Sequence, residues 1–300
     1  MSDALSGALL LWYVLTAASV AFMAYDLATN TPAMGVMKAA WVLIALYLGP
    51  IGLTVYLLSC RQPLRGGFVR PPQETANTPS GGSERSERGG PIPMHDAFIE
   101  AHWKQSVGSL AHCLAGDATG IILAAVVTYH FGFPNGIDLL LEYTAAFLFG
   151  WLIFQALFMK TMLGGNYALA LRKTFLAEFV SMNMVMVGML PTMVILMHAL
   201  PESHDPRRAA FWGVMSVATL IGGITAYPIN SWMVARHIKH GMMTAAGAAP
   251  AMAGMDNMKG MPSHTAATLP ASTQMAVIAA TLALLALAIY VTARFAPILL

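Results

Sequence analysis

The chain has 300 residues, of which 57% are hydrophobic and 10% charged, with a formal charge of +2; an ordinary soluble domain carries about 25% charged residues. That composition excludes a water-soluble domain, and so weak a charge balance gives no reason to expect nucleic acid as a partner. Two cysteines, Cys60 and Cys113, exclude a disulfide framework. What remains is an integral membrane protein with the lipid bilayer as its first partner.

A helix needs about 20 predominantly apolar residues to cross a bilayer. Seven windows qualify, near 6–26, 37–59, 107–131, 138–160, 177–199, 209–234 and 273–297. No ten-residue alternation of a β-barrel appears, so the expected fold is all-α, a polytopic transmembrane bundle of about seven spans. The first window follows Asp3 and no Lys or Arg, and so reads as a retained span rather than a cleaved signal. Together with the second it makes a two-span N-terminal region, 1–59.

Residues 60–105 contain "RPPQETANTPSGGSERSERGGP", which buries too little apolar surface to fold alone and reads as a mobile cytoplasmic linker. The end of this stretch, "MHDAFIEAHWKQ", is expected to form a short interfacial helix with Trp103 at headgroup depth. Four spans then form a core domain, 106–243, followed by a Met-rich flexible loop, 244–272, and a last span in 273–300. Placing the N-terminus inside leaves only Lys38, Arg207, Arg208 and Arg294 of the sixteen Lys and Arg outside. This asymmetry predicts an inner (cytoplasmic) membrane protein, N-terminus in and C-terminus out.

The third window, "SVGSLAHCLAGDATG", sets Ser109, Cys113 and Asp117 four apart on one helix face, with His112 beside them and Gly116 and Gly120 forming a GxxxG. Intramembrane ionisable groups are costly and raise a functional hypothesis by default. Imidazole, thiol and carboxylate suit a metal. Alternatively Asp117 bonds a neighbouring helix, through Asn183, and His112 sits near the surface where water reaches it. Glu178 is either the acidic mouth of a cation path or a solvated helix N-terminus. Asp138 and Glu142 stand four apart at the outer end of the fourth span and His130 faces the same side at the end of the third, as cation collectors or as ordinary surface.

The fifth window, "SMNMVMVGMLPTMVILMH", places Met182, Met186, Met189, Met193 and Met197 on one face at intervals of three and four. Thioethers are soft donors suited to Cu(I), and also adaptable core fillers. The sixth ends in "AYPINSWMVARHIKHGMM", with Pro228, Trp232 and a basic cluster as anchor and stop. Beyond it "MAGMDNMKGMPSH" spaces Met252, Met255, Met258 and Met261 by three and ends on His264; Gly254, Gly260 and Pro262 argue against a helix there. A flexible aqueous segment gains nothing in packing from Met, which makes this the strongest soft-metal signal in the chain; the alternative is a low-complexity linker.

The stretches "HWKQSVGSLAHCLAGDATG", "FLFGWLIFQALFM", "FLAEFVSMNMVMVG" and "FWGVMSVATLIGGITAYPINSWMVARHIKHGM" resemble the domain of unknown function 4396 family (DUF4396) of bacterial and archaeal membrane proteins, over about 102–243. The family commonly opens with His-Cys, two residues, Gly-Cys. Here His112, Cys113 and Gly116 are kept and Asp117 replaces the second Cys, so a thiol pair at that point is excluded. The resemblance implies a four-span domain and no established activity.

Binding or transport of a soft metal ion, copper first, is the leading expectation, with the thioether face, the His112, Cys113 and Asp117 group and the 252–264 loop as its donors. The alternative is a structural or accessory subunit, in a homo-oligomer or a larger membrane complex, with no metal. A redox protein is the third, weakened because His112 and His198 lie toward opposite membrane faces. No ATP-binding loop, zinc-protease motif or nucleophile elbow is present, so primary pumping and hydrolysis have no support and no catalytic residue is expected.

Overall fold

A computed structural model describes residues 3–61, 94–242 and 269–296. Among these residues seven helices are long and apolar enough to cross a membrane, and the protein is an all-α polytopic bundle. They are α1 (Asp3–Thr29), α2 (Gly35–Ser59), α4 (His102–Phe131), a composite fourth span, α7 (Tyr167–Ala199), α8 (Ala209–Ala235) and α9 (Ala271–Phe295). The composite span runs from α5 (Asn135–Leu148) through a π-helical segment (Phe149–Gln155) into α6 (Ala156–Met162). The expected interfacial helix is only α3 (Met94–Ile99), broken from α4 at Glu100 and Ala101.

The bundle is arranged around α7, which packs against α8, α9, α4 and the composite span. α4 approaches the composite span closely because Gly116 and Gly120 face its backbone. A Cβ on Gly120 would meet the Ala145 carbonyl oxygen at 2.4 Å, and one on Gly116 would meet the Gly150 Cα at 2.7 Å. The GxxxG read in the sequence therefore works as a helix contact.

α2 departs from a straight span. Gly49 has φ 53° and ψ −130°, a conformation outside the helical region that suits glycine alone, and Pro50 follows without an N–H to continue the ladder. The two arms fold back on each other. Trp41 and Tyr56 meet edge to face with centroids 5.5 Å apart, whereas residues that far apart on a straight helix are separated by about 22 Å. Asp26 of α1 locks the open end: Tyr56 donates to Oδ2 at 2.6 Å, Thr31 to the same oxygen at 3.2 Å, and Arg61 Nε to Oδ1 at 3.0 Å. Next to this lock, His95 Nε2 donates to the Cys60 carbonyl at 2.8 Å, so α3 and the start of α4 join the same end.

The fold-back fixes which helix ends lie together. α1 finishes beside Arg61 and the start of α4, at what is here termed the linker face. Its earlier turns reach the opposite, far face, where Tyr13 donates to the Ala209 carbonyl at 2.5 Å and Leu9 packs against Gly213. α9 also ends at the far face, since Ala296 shares a cavity there with Met197 and His204. The expected arrangement, with the two termini on opposite sides, assumed a crossing at 37–59. With α2 folded at Gly49, Asp3 and Phe295 lie on the same face, and Lys38 moves to the linker face with the other basic residues.

Tags fused next to Asp3 and after Phe295 should both be cleaved by a protease added to one side of sealed vesicles, and a site inserted after Arg61 only from the other. Gly49→Ala, forced into a positive φ and with its Cβ 2.4 Å from Thr16 Oγ1, should lose about 1–3 kcal/mol of stability, read by thermal unfolding in detergent.

Candidate functional site

Inside the bundle, three spans bring polar side chains to one place. α4 contributes Ser109, His112, Cys113 and Asp117, all fully buried. α7 contributes Glu178, also fully buried. Because α7 starts at Tyr167, capped by the Asn166 side chain accepting from Leu169 N at 2.9 Å, Glu178 lies well inside the helix and is no solvated N-terminus. Nor does water reach His112, whose ring stacks on Phe158 with centroids 5.2 Å apart.

The composite span supplies the gap between these two helices. π-helical geometry widens the turn and is found frequently at functional sites; here it turns Gly150 and Gln155 inward. A Cβ on Gly150 would sit 2.0 Å from Glu178 Oε1 and 2.5 Å from Asp117 Oδ1. The two carboxyls thus converge over bare backbone. Below them Cys113 Sγ donates to Glu178 Oε2 at 2.9 Å, accepts from Gln155 Nε2 at 3.1 Å and lies 3.3 Å from His112 Nδ1.

Much of this cluster is unsatisfied. His112 Nε2, both oxygens of Asp117, Glu178 Oε1 and Ser109 Oγ have no hydrogen-bond partner among the described residues. Buried polar groups are nearly always paired, so such a concentration asks for a bound species. Two carboxyls facing one another are both acceptors and bond only across a shared proton or cation. The positive charge acting on Asp117 and Cys113 is that of Lys239, itself buried and donating to Asn230, which in turn donates to Ser181 Oγ at 2.9 Å. Gln155, Lys239, His240 and Lys173 also line a narrow cleft of about 10 Å³ at the linker face, room for about one water.

The remaining candidates sit elsewhere. Asn183 does not meet Asp117; it accepts from Tyr143 at 2.8 Å and donates to Thr281 at 3.2 Å. Met182, Met186, Met189 and Met193 are buried in the main hydrophobic core, with Met197 partly buried at its edge. The outer turns of this ladder, Met193 and Met197, line a cavity of about 340 Å³ at the far face with Asp138, Glu142, His198 and His204. His130 is exposed and outside that group. Met252, Met255, Met258, Met261 and His264 lie outside the described residues. Among the described residues no three His, Cys, Asp or Glu side chains converge to hold a metal ion. The sequence reading missed Gln155, Gly150 and Lys239, none of which has a local signature.

Residues 102–239 match the family model described as "Domain of unknown function (DUF4396)". Comparison with the curated proteins and with the solved structures returns no match. The matched segment contains every residue of the buried cluster.

Gly150→Ala should push the Glu178 and Asp117 carboxyls apart at a cost of about 1–3 kcal/mol. It should also speed alkylation of Cys113 in the detergent-solubilised protein. Cys60 serves as the internal control: it is fully buried, and burial raises its thiol pKa above the ordinary range.

Proposed function

With residues 102–239 forming a domain of the DUF4396 family, we propose that this membrane protein binds and moves a soft monovalent metal ion, with Cu(I) as the best-fitting cargo. The carrying observation is the pair of convergent carboxyls, Asp117 and Glu178, with oxygens lacking hydrogen-bond partners, beside a thiol and an imidazole. Such a donor set fits a soft ion better than a hard divalent one, which calls for about six oxygen ligands. Cu(I) prefers sulfur and imidazole donors, and Cys113 and His112 supply one of each. Cys113 must lose its proton to become a ligand, and the Glu178 carboxylate already accepts that proton's hydrogen bond. The S–H bond breaks, an O–H bond forms on the carboxyl pair, and the arriving cation replaces the proton at sulfur. A monovalent ion content with few donors is compatible with the lack of a three-residue His, Cys, Asp or Glu group.

The thioether face of α7 gives such an ion a soft path between the far-face cavity and the cluster. The concentration of Lys and Arg at the linker face supports a cytoplasmic placement of that face in the inner membrane, with both termini outside. A second reading, an accessory subunit in which Met only packs, is favoured by the complete burial of Met182, Met186 and Met189.

Leu for Met roughly conserves volume and usually costs under about 1.5 kcal/mol, but removes the sulfur. Replacing Met186, Met189 and Met193 together by Leu should leave expression and fold intact and lower Cu(I) uptake into proteoliposomes; unchanged uptake assigns the stripe to packing. Cys113→Ser and Asp117→Asn should each remove one equivalent of bound Cu(I) in metal analysis of folded, reduced protein, while Ag(I) should slow alkylation of Cys113 more than of Cys60. A fully binding Asp117→Asn protein would make the acidic cluster structural.

A further inference from the structure

The far-face cavity is separate from the buried cluster and has its own unsatisfied chemistry. Its walls come from the ends of α4, α5 and α7, the turn at Pro201–His204 and the start of α8. Glu142 lines it at 1% exposure, with Oε2 lacking any hydrogen-bond partner among the described residues. Asp138, four residues earlier on the same face of α5, also lines it and is held by the Thr128 hydroxyl. No Lys or Arg is among the lining residues. The two carboxyls share the cavity with the imidazoles of His198 and His204, and Glu142 Oε2 is the buried oxygen there that lacks a hydrogen-bond partner among the described residues.

We propose that this cavity is a cation-binding site in its own right, in which the Glu142 carboxylate and the thioethers of Met193 and Met197 take a soft monovalent cation from the far-face water. The donor set decides the class. A hard divalent ion calls for about six oxygen ligands, and no three His, Cys, Asp or Glu groups converge here. Thioethers instead select soft ions, and those of Met193 and Met197 line the same cavity as Glu142 at the outer end of the ladder. The site stands whether or not the buried cluster binds metal, because it shares no residue with it.

Ag(I) serves as the probe, and the readout is peroxide oxidation of individual methionines, followed by mass spectrometry of the purified full chain. Ag(I) should protect Met193 and Met197 equally in the wild type and in Cys113→Ser, and an equal concentration of K⁺ should not. In Glu142→Gln the protection should need about tenfold more Ag(I), equivalent to about 1.4 kcal/mol. Should Glu142→Gln fail to fold, Met193→Leu with Met197→Leu gives the independent check by losing one equivalent of bound Ag(I). Oxidation of both methionines indifferent to Ag(I), protection by K⁺ as strong as by Ag(I), or full protection retained in Glu142→Gln would each overturn the proposal. Protection that survives in Cys113→Ser while Cu(I) uptake is lost separates this site from the buried cluster.

Discussion

The close approach of α4, the composite span and α7 over the bare backbone of Gly150 is the constraint on which the interior depends. Only there do the Asp117 and Glu178 carboxyls occupy the volume that any side chain would fill. The small residues Gly116 and Gly120 bring α4 in, and the π-helical turn offers the gap. Charges held at this depth cost several kcal/mol each and are retained for function more often than for stability. The hydrogen bonds around Cys113, by contrast, fix a thiol, an amide and a carboxylate in one register across three helices.

The N-terminal region braces this core from outside. Its folded α2 lies against α4, with the Tyr47 and Thr119 hydroxyls 2.6 Å apart, and the Asp26 lock ties α1 to the end of α2, where α3 joins through His95 and the Cys60 carbonyl. Asp26 is buried but well partnered, by Tyr56, Thr31 and Arg61, whereas neither oxygen of Asp117 has a hydrogen-bond partner among the described residues. The contrast between the two aspartates illustrates that burial alone does not identify a site.

Methionine on α7 serves two physical roles without contradiction. Its flexible side chain fills the irregular space against α8, where Gly188 lets Thr225 approach the helix backbone and donate to Met184 O at 2.9 Å. The same sulfurs stay in line from the core to the far-face cavity, because a helix returns a side chain to one face every three to four residues. Packing explains why the ladder is buried. It leaves open why the ladder ends beside an unpaired glutamate.

The sequence by itself determined the membrane class, the seven apolar helices, the domain family of residues 102–239, the GxxxG contact and the shared face of Ser109, Cys113 and Asp117. All of these depend on local periodicity or composition, which a one-dimensional pattern carries in full. Only the tertiary structure decided that α2 turns back at Gly49, since hydropathy counts apolar residues and is blind to the direction in which they run. The same holds for Gln155 and Lys239: each is unremarkable beside its chain neighbours and gains its meaning from groups that only packing brings within hydrogen-bond or charge reach. Asn183, one of the two alternatives open for Asp117 in the sequence, instead bonds Tyr143 and Thr281. Helix rotation about its axis, set by small-residue contacts between spans, decides which polar groups face one another.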